Sequence, residues 1–344
     1  MTHQQCRGCD TVQSVQGFQY DIRNARNYRT LCKLCDYAIN TSLRRTHDGF
    51  VKNLISACRG YDRKYTARQT RYGTDLTVQW VTENMMKGCY WTGLPLQTKP
   101  YCWDKLSIDR IDDSIRHCQE NCRLVILALN TQYKWTDALF QVALTAYLYP
   151  PQPLTEQEAT QKSAFVSRRD TDNTPRRKSD DEEGNKFCTG CNLFHGPEKF
   201  TDRQSNGCAN CRSARSKLQR EGSMHGALVH VFNASVGRSK KVKRVAGDLT
   251  FVQLKQIYVS QGGLCPISGI ELATSGFWKV SNERKDPRGT YTASNVEIIC
   301  ACLNITDKTV DNPDKTAAAQ GMTKERWSII MESMIEKKWA EWCL

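Results

Sequence analysis

The fold is decided by the stretch Leu106-Ser-Ile-Asp-Arg-Ile-Asp-Asp113, which is followed by Asn121 and by the apolar run Leu124-Val-Ile-Leu-Ala-Leu-Asn130. Taken alone, this order is typical of a strand, a turn with polar side chains and a helix. It acquires a more specific meaning because the chain contains the same polar residues a second time.

The polar residues of this stretch recur in the second half of the chain. Ser107, Arg110, Asn121 and Asn130 are matched, each 174 positions later, by Ser281, Arg284, Asn295 and Asn304. Four polar positions at one constant spacing are not expected in unrelated segments. The repeat has the length of a domain, whereas solenoid repeats have about 20 to 50 residues. We therefore predict a tandem duplication of one unit.

Two Cys-x2-Cys pairs precede the repeated stretch in each half. They are Cys6, Cys9, Cys32 and Cys35 in the first half, and Cys188, Cys191, Cys208 and Cys211 in the second. Four thiolates from two such pairs complete a tetrahedral zinc shell, which leaves no open position for catalysis. The chain has 17 cysteines and begins without the apolar core of a secretion signal, which disfavours disulfides. We predict two structural Zn²⁺ sites.

The polar segment between the two halves divides the chain into domains. We expect copy one at 1–149, a disordered linker at 150–186 and copy two at 187–344. The linker prediction depends on Pro150 and Pro151 and on the charged blocks between them and the second copy, which bury little apolar surface. Each copy contains a basic helical stretch, a short helix beginning at Thr77 or Thr250, and a closing apolar helix.

The charge of the chain indicates a polyanionic partner. The net charge is +13, and lysine and arginine release counterions when they bind phosphates. Solubility alone is the alternative explanation. The candidate nucleic-acid-binding residues are Arg59, Arg63, Lys64 and Arg68 in copy one, and Lys240, Lys241, Lys243 and Arg244 in copy two. With no stretch of about 18 apolar residues, we expect an intracellular protein, nuclear or cytoplasmic, that has no membrane partner.

These residues together resemble the HNH endonuclease family, which has the ββα-metal fold. The similarity is greatest to the branch in phages and large viruses with a four-cysteine zinc module and a Ser-x-Asp-Arg-x-Asp strand. It covers almost all of each copy and excludes the linker. The resemblance implies an α+β protein with two tandem units, each containing a zinc module and a strand hairpin packed on a helix beside one divalent cation.

The resemblance also implies roles for individual residues. Asp109 and Asn130 would bind Mg²⁺ or Mn²⁺ through oxygen atoms, Asn121 would orient the loop or the attacking water, and Arg110 and Lys134 would contact phosphate oxygens. The corresponding residues of copy two are Glu283, Asn304, Asn295, Arg284 and Lys308.

One departure from the family pattern leaves the general base open. The family usually has histidine directly after the metal-binding aspartate, but Arg110 stands there, and arginine does not lose its proton in proteins. His117 is the nearest candidate base; it could equally be a turn residue that packs on the hairpin. A metal-bound hydroxide would need no side-chain base. Glu283 is one methylene longer than Asp109, so we expect copy one to be active and copy two to be weakened or to bind DNA.

The sequence therefore predicts a metal-dependent DNA endonuclease whose two copies form an intramolecular pseudo-dimer. The alternative from another class is a non-catalytic, zinc-containing nucleic-acid-binding protein derived from such a nuclease. For the nuclease, RNA in place of DNA is an alternative substrate.

Overall fold

The computed structural model describes residues 3–21, 28–65, 75–99, 102–131, 133–165, 181–200, 206–241, 247–286, 289–304 and 322–342. Within these ranges the protein is α+β, with nine α-helices and five separate two-stranded antiparallel sheets. This confirms the predicted fold class at that level. No helix in the described ranges has the length and apolar character needed to cross a bilayer.

Within its described residues, the first half contains six short strands and four helices. The strands are β1 (His3–Gln5), β2 (Val12–Ser14), β3 (Phe18–Tyr20), β4 (Tyr28–Cys32), β5 (Leu106–Arg110) and β6 (Cys122–Ile126). The helices are α1 (Lys33–Arg45), α2 (His47–Tyr65), α3 (Val78–Met85) and α4 (Asp137–Leu148).

The remainder of the chain contains four strands and five helices within its described residues. In chain order they are α5 (Glu156–Lys162), β7 (Lys186–Cys188), β8 (Leu193–His195), α6 (Ala209–Glu221), α7 (Met224–Lys241), α8 (Phe251–Ser260), β9 (Val280–Arg284), β10 (Val296–Cys300) and α9 (Lys324–Trp342).

The helices α3 and α8 begin at the residues that the sequence predicts. Thr77 Oγ1 accepts a hydrogen bond from the main-chain nitrogen of Trp80 at 3.0 Å. Thr250 and Gln253 exchange side-chain-to-backbone hydrogen bonds and complete a capping box. A cap of this kind stabilises a helix by about 1 kcal/mol relative to alanine, so short helices benefit most.

Two hairpins form the frame of the candidate sites. β5 pairs with β6 so that Asp109 lies opposite Arg123, and β9 pairs with β10 so that Glu283 lies opposite Glu297. Leu106 and Ile108 are buried on one face of β5, against which α2 packs. The other face of β5 carries Ser107 and Asp109, because successive side chains on a strand alternate between its faces.

The predicted disordered linker at 150–186 was wrong for its first part. Helix α5 occupies Glu156–Lys162, and a complete capping box between Thr155 and Glu158 begins it. The main-chain nitrogen of Leu154 donates to Gly262 O at 2.9 Å, which ties this segment to the turn after α8. A capping box depends on two residues three positions apart, which the composition of a segment does not reveal. Residues 166–180 lie outside the described ranges.

The chain forms two compact units, whose boundary does not fall at the predicted positions. The first comprises Met1–Thr131 and the last helix from Glu332 onward; the second comprises Gln132–Pro313 and that helix up to Met331. Helix α4 therefore belongs to the second unit. The reason lies in Trp135, which is fully buried, stacks on Phe140 and packs edge-on against Phe277.

Candidate metal centres and hairpin sites

The eight cysteines of the Cys-x2-Cys pairs assemble into two groups, as predicted. In each group the four sulfur atoms lie within 4.8 Å of one another, a geometry that suits one structural Zn²⁺. Phe18 packs in the core of the first group and Phe200 in that of the second. Because these lobes have few other buried side chains, a metal would supply much of their folding free energy.

The first cysteine of each group accepts main-chain hydrogen bonds from residues in both of its Cys-x2-Cys turns. Cys6 Sγ accepts from Gly8 at 3.3 Å and from Cys32 at 3.2 Å. Cys188 Sγ accepts from Gly190 at 3.4 Å and from Cys208 at 3.1 Å. The N–H group of Cys32 is the main reason that the pKa of Cys6 falls to about 6. Cys6 is therefore prepared for the thiolate form that a metal binds.

The pKa of Cys188 also falls to about 6, although its causes are balanced differently. Burial raises this pKa, and hydrogen bonds from Cys208, Cys191 and Gly190 together outweigh the effect of burial. Each of these turns also contains a glycine that the cysteine spacing alone does not predict. A Cβ atom on Gly190 would lie 2.6 Å from Cys211 Cβ, and one on Gly8 would lie 2.9 Å from Cys35 Cβ. Glycine is therefore needed where the two Cys-x2-Cys turns approach each other.

The asparagine that follows each hairpin is fixed in the same way in both halves. Asn130 Nδ2 donates to Ser107 Oγ at 2.8 Å and to Ile108 O at 3.0 Å. Asn304 Nδ2 donates to Ser281 Oγ at 2.9 Å and to Asn282 O at 3.0 Å. Ser107 shares its face of the strand with Asp109, so the Asn130 amide is held on the Asp109 side.

The Asn130 amide group donates both of its hydrogens in these two bonds. The side-chain atom that could bind a cation is therefore the oxygen, Oδ1. Carboxylate and amide oxygens are the ligands that Mg²⁺ and Mn²⁺ prefer. The structure therefore brings Asp109 and Asn130 to one face of the first hairpin. Glu283 and Asn304 are related in the same way on the second.

Asp109 has a partner that the sequence analysis did not identify. Nε and Nη2 of Arg123, on the facing strand, both lie 2.8 Å from Asp109 Oδ2. The Arg123 guanidinium also stacks on the Trp91 ring, 4.2 Å from its centre. Both contacts to Asp109 reach the same oxygen. This partnership could have been found by pairing the two strands in register.

The second hairpin has the opposite charge at this place. Glu297 takes the position of Arg123 and lies across from Glu283. Burial raises the pKa of the Glu297 carboxyl, and the positive charge of Lys285 opposes this rise. Two carboxylates therefore face each other where the first hairpin has an ion pair.

Asn121 and Asn295 bind the loop between the two strands of each hairpin. Asn121 Oδ1 accepts from the main-chain nitrogen of Asp112 at 2.8 Å, while its Nδ2 donates to Asp112 O and Arg116 O. Asn295 makes the matching bonds to Asp286 and Thr290. In each residue both the oxygen and the nitrogen of the side-chain amide are hydrogen-bonded to the loop. These contacts fit the loop-orienting role that the family resemblance implied.

Arg110 points away from Asp109 and braces the same loop. It is buried, donates to Ile115 O at 3.2 Å, pairs with Asp113 at 3.3 Å and lies over the Tyr61 ring. In the second half Arg284 donates to Gly289 O at 3.0 Å and lies over the Tyr291 ring. The structure therefore does not place either arginine beside the carboxylate.

His117 is a buried residue of the loop, paired with a carboxylate. Its Nδ1 lies 2.7 Å from Asp62 Oδ1, and its main-chain nitrogen donates to Asp62 Oδ2 at 3.1 Å. The His117 ring meets the edge of Tyr61, which also carries the Arg110 guanidinium. His117 therefore lies on the Arg110 side of the strand, and these contacts favour the turn-residue alternative over that of a base.

The predicted nucleic-acid-binding residues are only partly described. Arg59, Arg63 and Lys64 are exposed on α2, where Arg59 and Arg63 share a face with Lys52. Lys134 belongs to the second compact unit. Arg68, Lys243, Arg244 and Lys308 lie outside the described residues, and Lys240 and Lys241 end α7 with side chains that are also outside them.

Comparison with known proteins adds no relative. No family model, no curated protein and no solved structure matches the chain.

Proposed function

We propose that the chain is a zinc-containing endonuclease that needs a divalent cation and hydrolyses phosphodiester bonds in DNA. The observation that carries the proposal is the position of Asn130. Its bonds to Ser107 and Ile108 hold a carboxamide oxygen on the strand face that carries Asp109. The same arrangement occurs at Asn304, on the face that carries Glu283.

The residues on this face suit one hard cation. Asp109 Oδ1 and Asn130 Oδ1 would be its protein ligands, since Nε and Nη2 of Arg123 both contact Asp109 Oδ2. Water would complete the coordination, as is usual for Mg²⁺. The bound cation would activate water and neutralise charge on the leaving oxygen.

Arg123 takes over the phosphate contact that the sequence analysis assigned to Arg110. It lies beside the cation ligand, and the Trp91 ring fixes the plane of its guanidinium. A planar guanidinium suits the bidentate binding of a phosphate. In the second hairpin Glu297 stands in this place, and its negative charge would repel a phosphate. We therefore assign strand cleavage to the first hairpin.

A positively charged surface of the same unit would also contact the DNA. Lys52, Arg59 and Arg63 form one exposed face of α2, and the chain carries a net charge of +13. Phosphate contacts of this kind make binding strong at low salt and weak at high salt.

A non-catalytic nucleic-acid-binding protein is the second candidate. The Asp109–Arg123 ion pair favours it, because the carboxylate already has a positive partner without any metal. The two functions differ in what a divalent cation does: the nuclease needs it for cleavage, whereas the binding protein holds DNA equally well without it.

The experiment is a plasmid cleavage assay with zinc-loaded protein and increasing Mg²⁺ or Mn²⁺. The variants are Asp109→Asn and Glu283→Gln, with Glu120→Gln as control because Glu120 is an exposed carboxylate at the end of the same loop. We expect Asp109→Asn to stop cleavage and to retain DNA binding. We expect Glu283→Gln and the control to cut. Metal-independent binding without cleavage by the wild type would establish the second candidate.

A further inference from the structure

We infer that the second half of the chain contains a cleft that binds a phosphate and its nucleotide from a nucleic-acid strand. The inference deepens the proposed function, on which it rests for the nature of the polymer. The cleft has a volume of about 390 Å³ and lies between the end of α6, the helix α7, the start of β9 and the turn after β10. Its basic lining residues are Arg220, His230, Arg238 and Lys279.

The positive charges of this cleft are close enough to act on each other. Burial lowers the pKa of His230, and the nearby charges of Arg220 and Lys279 lower it further. Within the described part of the chain, neither Arg220 nor Lys279 forms an ion pair with an acidic side chain. Glu221 also lines the cleft, so three permanent positive charges outnumber one negative charge. A cleft with this balance attracts an anion.

Arg238 shows how the geometry of the cleft is maintained. Its Nε donates to the Tyr291 hydroxyl at 3.0 Å, and its Nη2 donates to Ser235 Oγ at 3.2 Å. Lys279, another lining residue, lies over the Tyr133 ring. Two of the basic groups are thus positioned by aromatic side chains before any ligand arrives.

The floor of the cleft contains an unusual buried amide. Asn282 is 2 % exposed, and its Nδ2 donates to Ser235 Oγ at 3.1 Å. Its Oδ1 has no hydrogen-bond partner among the described residues. A buried acceptor without a partner is rare in native proteins. It calls for a donor, which a base or a bridging water supplies, whereas a phosphate alone does not.

These features together fit a nucleotide better than an isolated anion. The basic rim takes the phosphate, Asn282 takes a donor, and the Tyr133 ring in the lining offers a surface on which a base can stack. We choose the polymer over a free nucleotide because the cleft includes Ser281, to which Asn304 is bonded, so a strand in the cleft would continue onto the hairpin face.

Two polar residues of this cleft, Asn282 and His230, are replaced by other residues at the matching positions of the first half. The matching position to Asn282 in the first hairpin is Ile108. When α2 and α7 are aligned on the glycine in the first turn of each, His230 corresponds to Asn53. The second half, whose hairpin has the phosphate-repelling Glu297, thus has its own phosphate-attracting surface. This would give it a binding role while the first half cuts.

The test measures binding of a fluorescent single-stranded oligonucleotide by anisotropy, without added Mg²⁺, so that it does not depend on cleavage. The variants are Lys279→Glu and Arg220→Glu. The control is Lys324→Glu, which makes the same change of charge at an exposed residue of the same unit outside the cleft. We expect each cleft variant to weaken binding about tenfold, and to reduce the salt slope by about one per lost phosphate contact. The control should change binding less than twofold.

A second arm uses the His230 ring resonances in NMR spectra to separate the possible ligands. Inorganic phosphate, a mononucleotide and the oligonucleotide are titrated separately, and we expect the oligonucleotide to shift these resonances at the lowest concentration. Equal binding by the cleft variants and the control would overturn the inference. Shifts from mononucleotide alone would overturn the assignment to a polymer. If the wild type does not cleave while the cleft results hold, the nuclease assignment fails and the cleft stands.

Discussion

The guanidinium of Arg123 and the carboxylate of Asp109 form an ion pair across the first hairpin, at 2.8 Å. The two residues lie directly opposite each other on β5 and β6. In the second hairpin Glu283 and Glu297 have this relationship. One hairpin therefore has a neutral pair and the other has two acids, although the asparagine beside each is bonded in the same way.

The first prediction concerns Arg123, which restrains Asp109 and would contact phosphate. Arg123→Ala should raise the affinity of the first hairpin for Mn²⁺ severalfold, because the carboxylate loses a competing positive charge. The same change should slow plasmid cleavage by about 100-fold, since one charged phosphate contact is worth about 3 kcal/mol. Calorimetry and a cleavage assay measure these opposite effects.

Lys87→Ala is the control for Arg123, because Lys87 is an exposed cation after α3. It should leave both quantities unchanged. Faster cleavage by Arg123→Ala would show that the ion pair only silences Asp109, and would remove Arg123 from phosphate binding.

The second prediction concerns zinc. Cys32→Ser should reduce bound zinc from two ions per chain to one, and Cys208→Ser should do the same at the other group. Each lobe should then lose its thermal transition, because metal supplies most of the folding free energy of such small domains. Colorimetric release of zinc and calorimetry measure the two effects. Cys102→Ser, outside both groups, should retain two ions; a loss of zinc from that variant would contradict the assignment of ligands.

The third prediction separates the two roles that were open for Asn121. If it fixes the loop, Asn121→Ala should lower the free energy of unfolding of the first unit by about 2 kcal/mol, because it leaves the Asp112 N–H and neighbouring carbonyls without their partner. Chemical denaturation measures this, with Glu120→Ala as the control. Unchanged stability together with abolished cleavage would instead support orientation of the attacking water.

The fourth prediction concerns the pH dependence of Glu297. Burial raises the folded-state pKa of this carboxyl, so the folded protein favours the neutral acid and loses stability as pH rises above its ordinary range near 4.5. Glu297→Gln should therefore be more stable than the wild type at pH 7. The difference should vanish as pH falls below the unfolded-state pKa.

Thermal unfolding at several pH values measures the effect of Glu297. Glu336→Gln, on the exposed side of α9, should follow the wild type at every pH. An effect of the same size in that control would rule out a local cause.

Local patterns in the sequence predicted the parts of the fold that local contacts determine. The zinc groups and the caps at Thr77 and Thr250 follow from residues near one another in sequence. The capping box at Thr155 was equally readable, but the composition of the surrounding segment concealed it.

Contacts between distant residues could not be predicted in this way. His117 is paired with Asp62, which lies 55 residues earlier on another element. Trp135 is expected to be buried because its side chain is large and apolar, but the sequence does not predict that it packs against Phe277. The opposite orientation of Arg110 and Asp109 was accessible from strand alternation, whereas the partner of Asp109 required the register of the hairpin.

The proposed cation site at the first hairpin is tested most directly by iron-mediated cleavage of the protein backbone. Fe²⁺ replaces Mg²⁺ in zinc-loaded protein, ascorbate and peroxide generate radicals at the bound iron, and mass spectrometry maps the new chain ends. We expect ends within β5 and beside Asn130, and their loss in Asp109→Asn but not in Glu120→Gln. The same ends in Asp109→Asn, or ends confined to other segments, would contradict a cation held by Asp109 and Asn130.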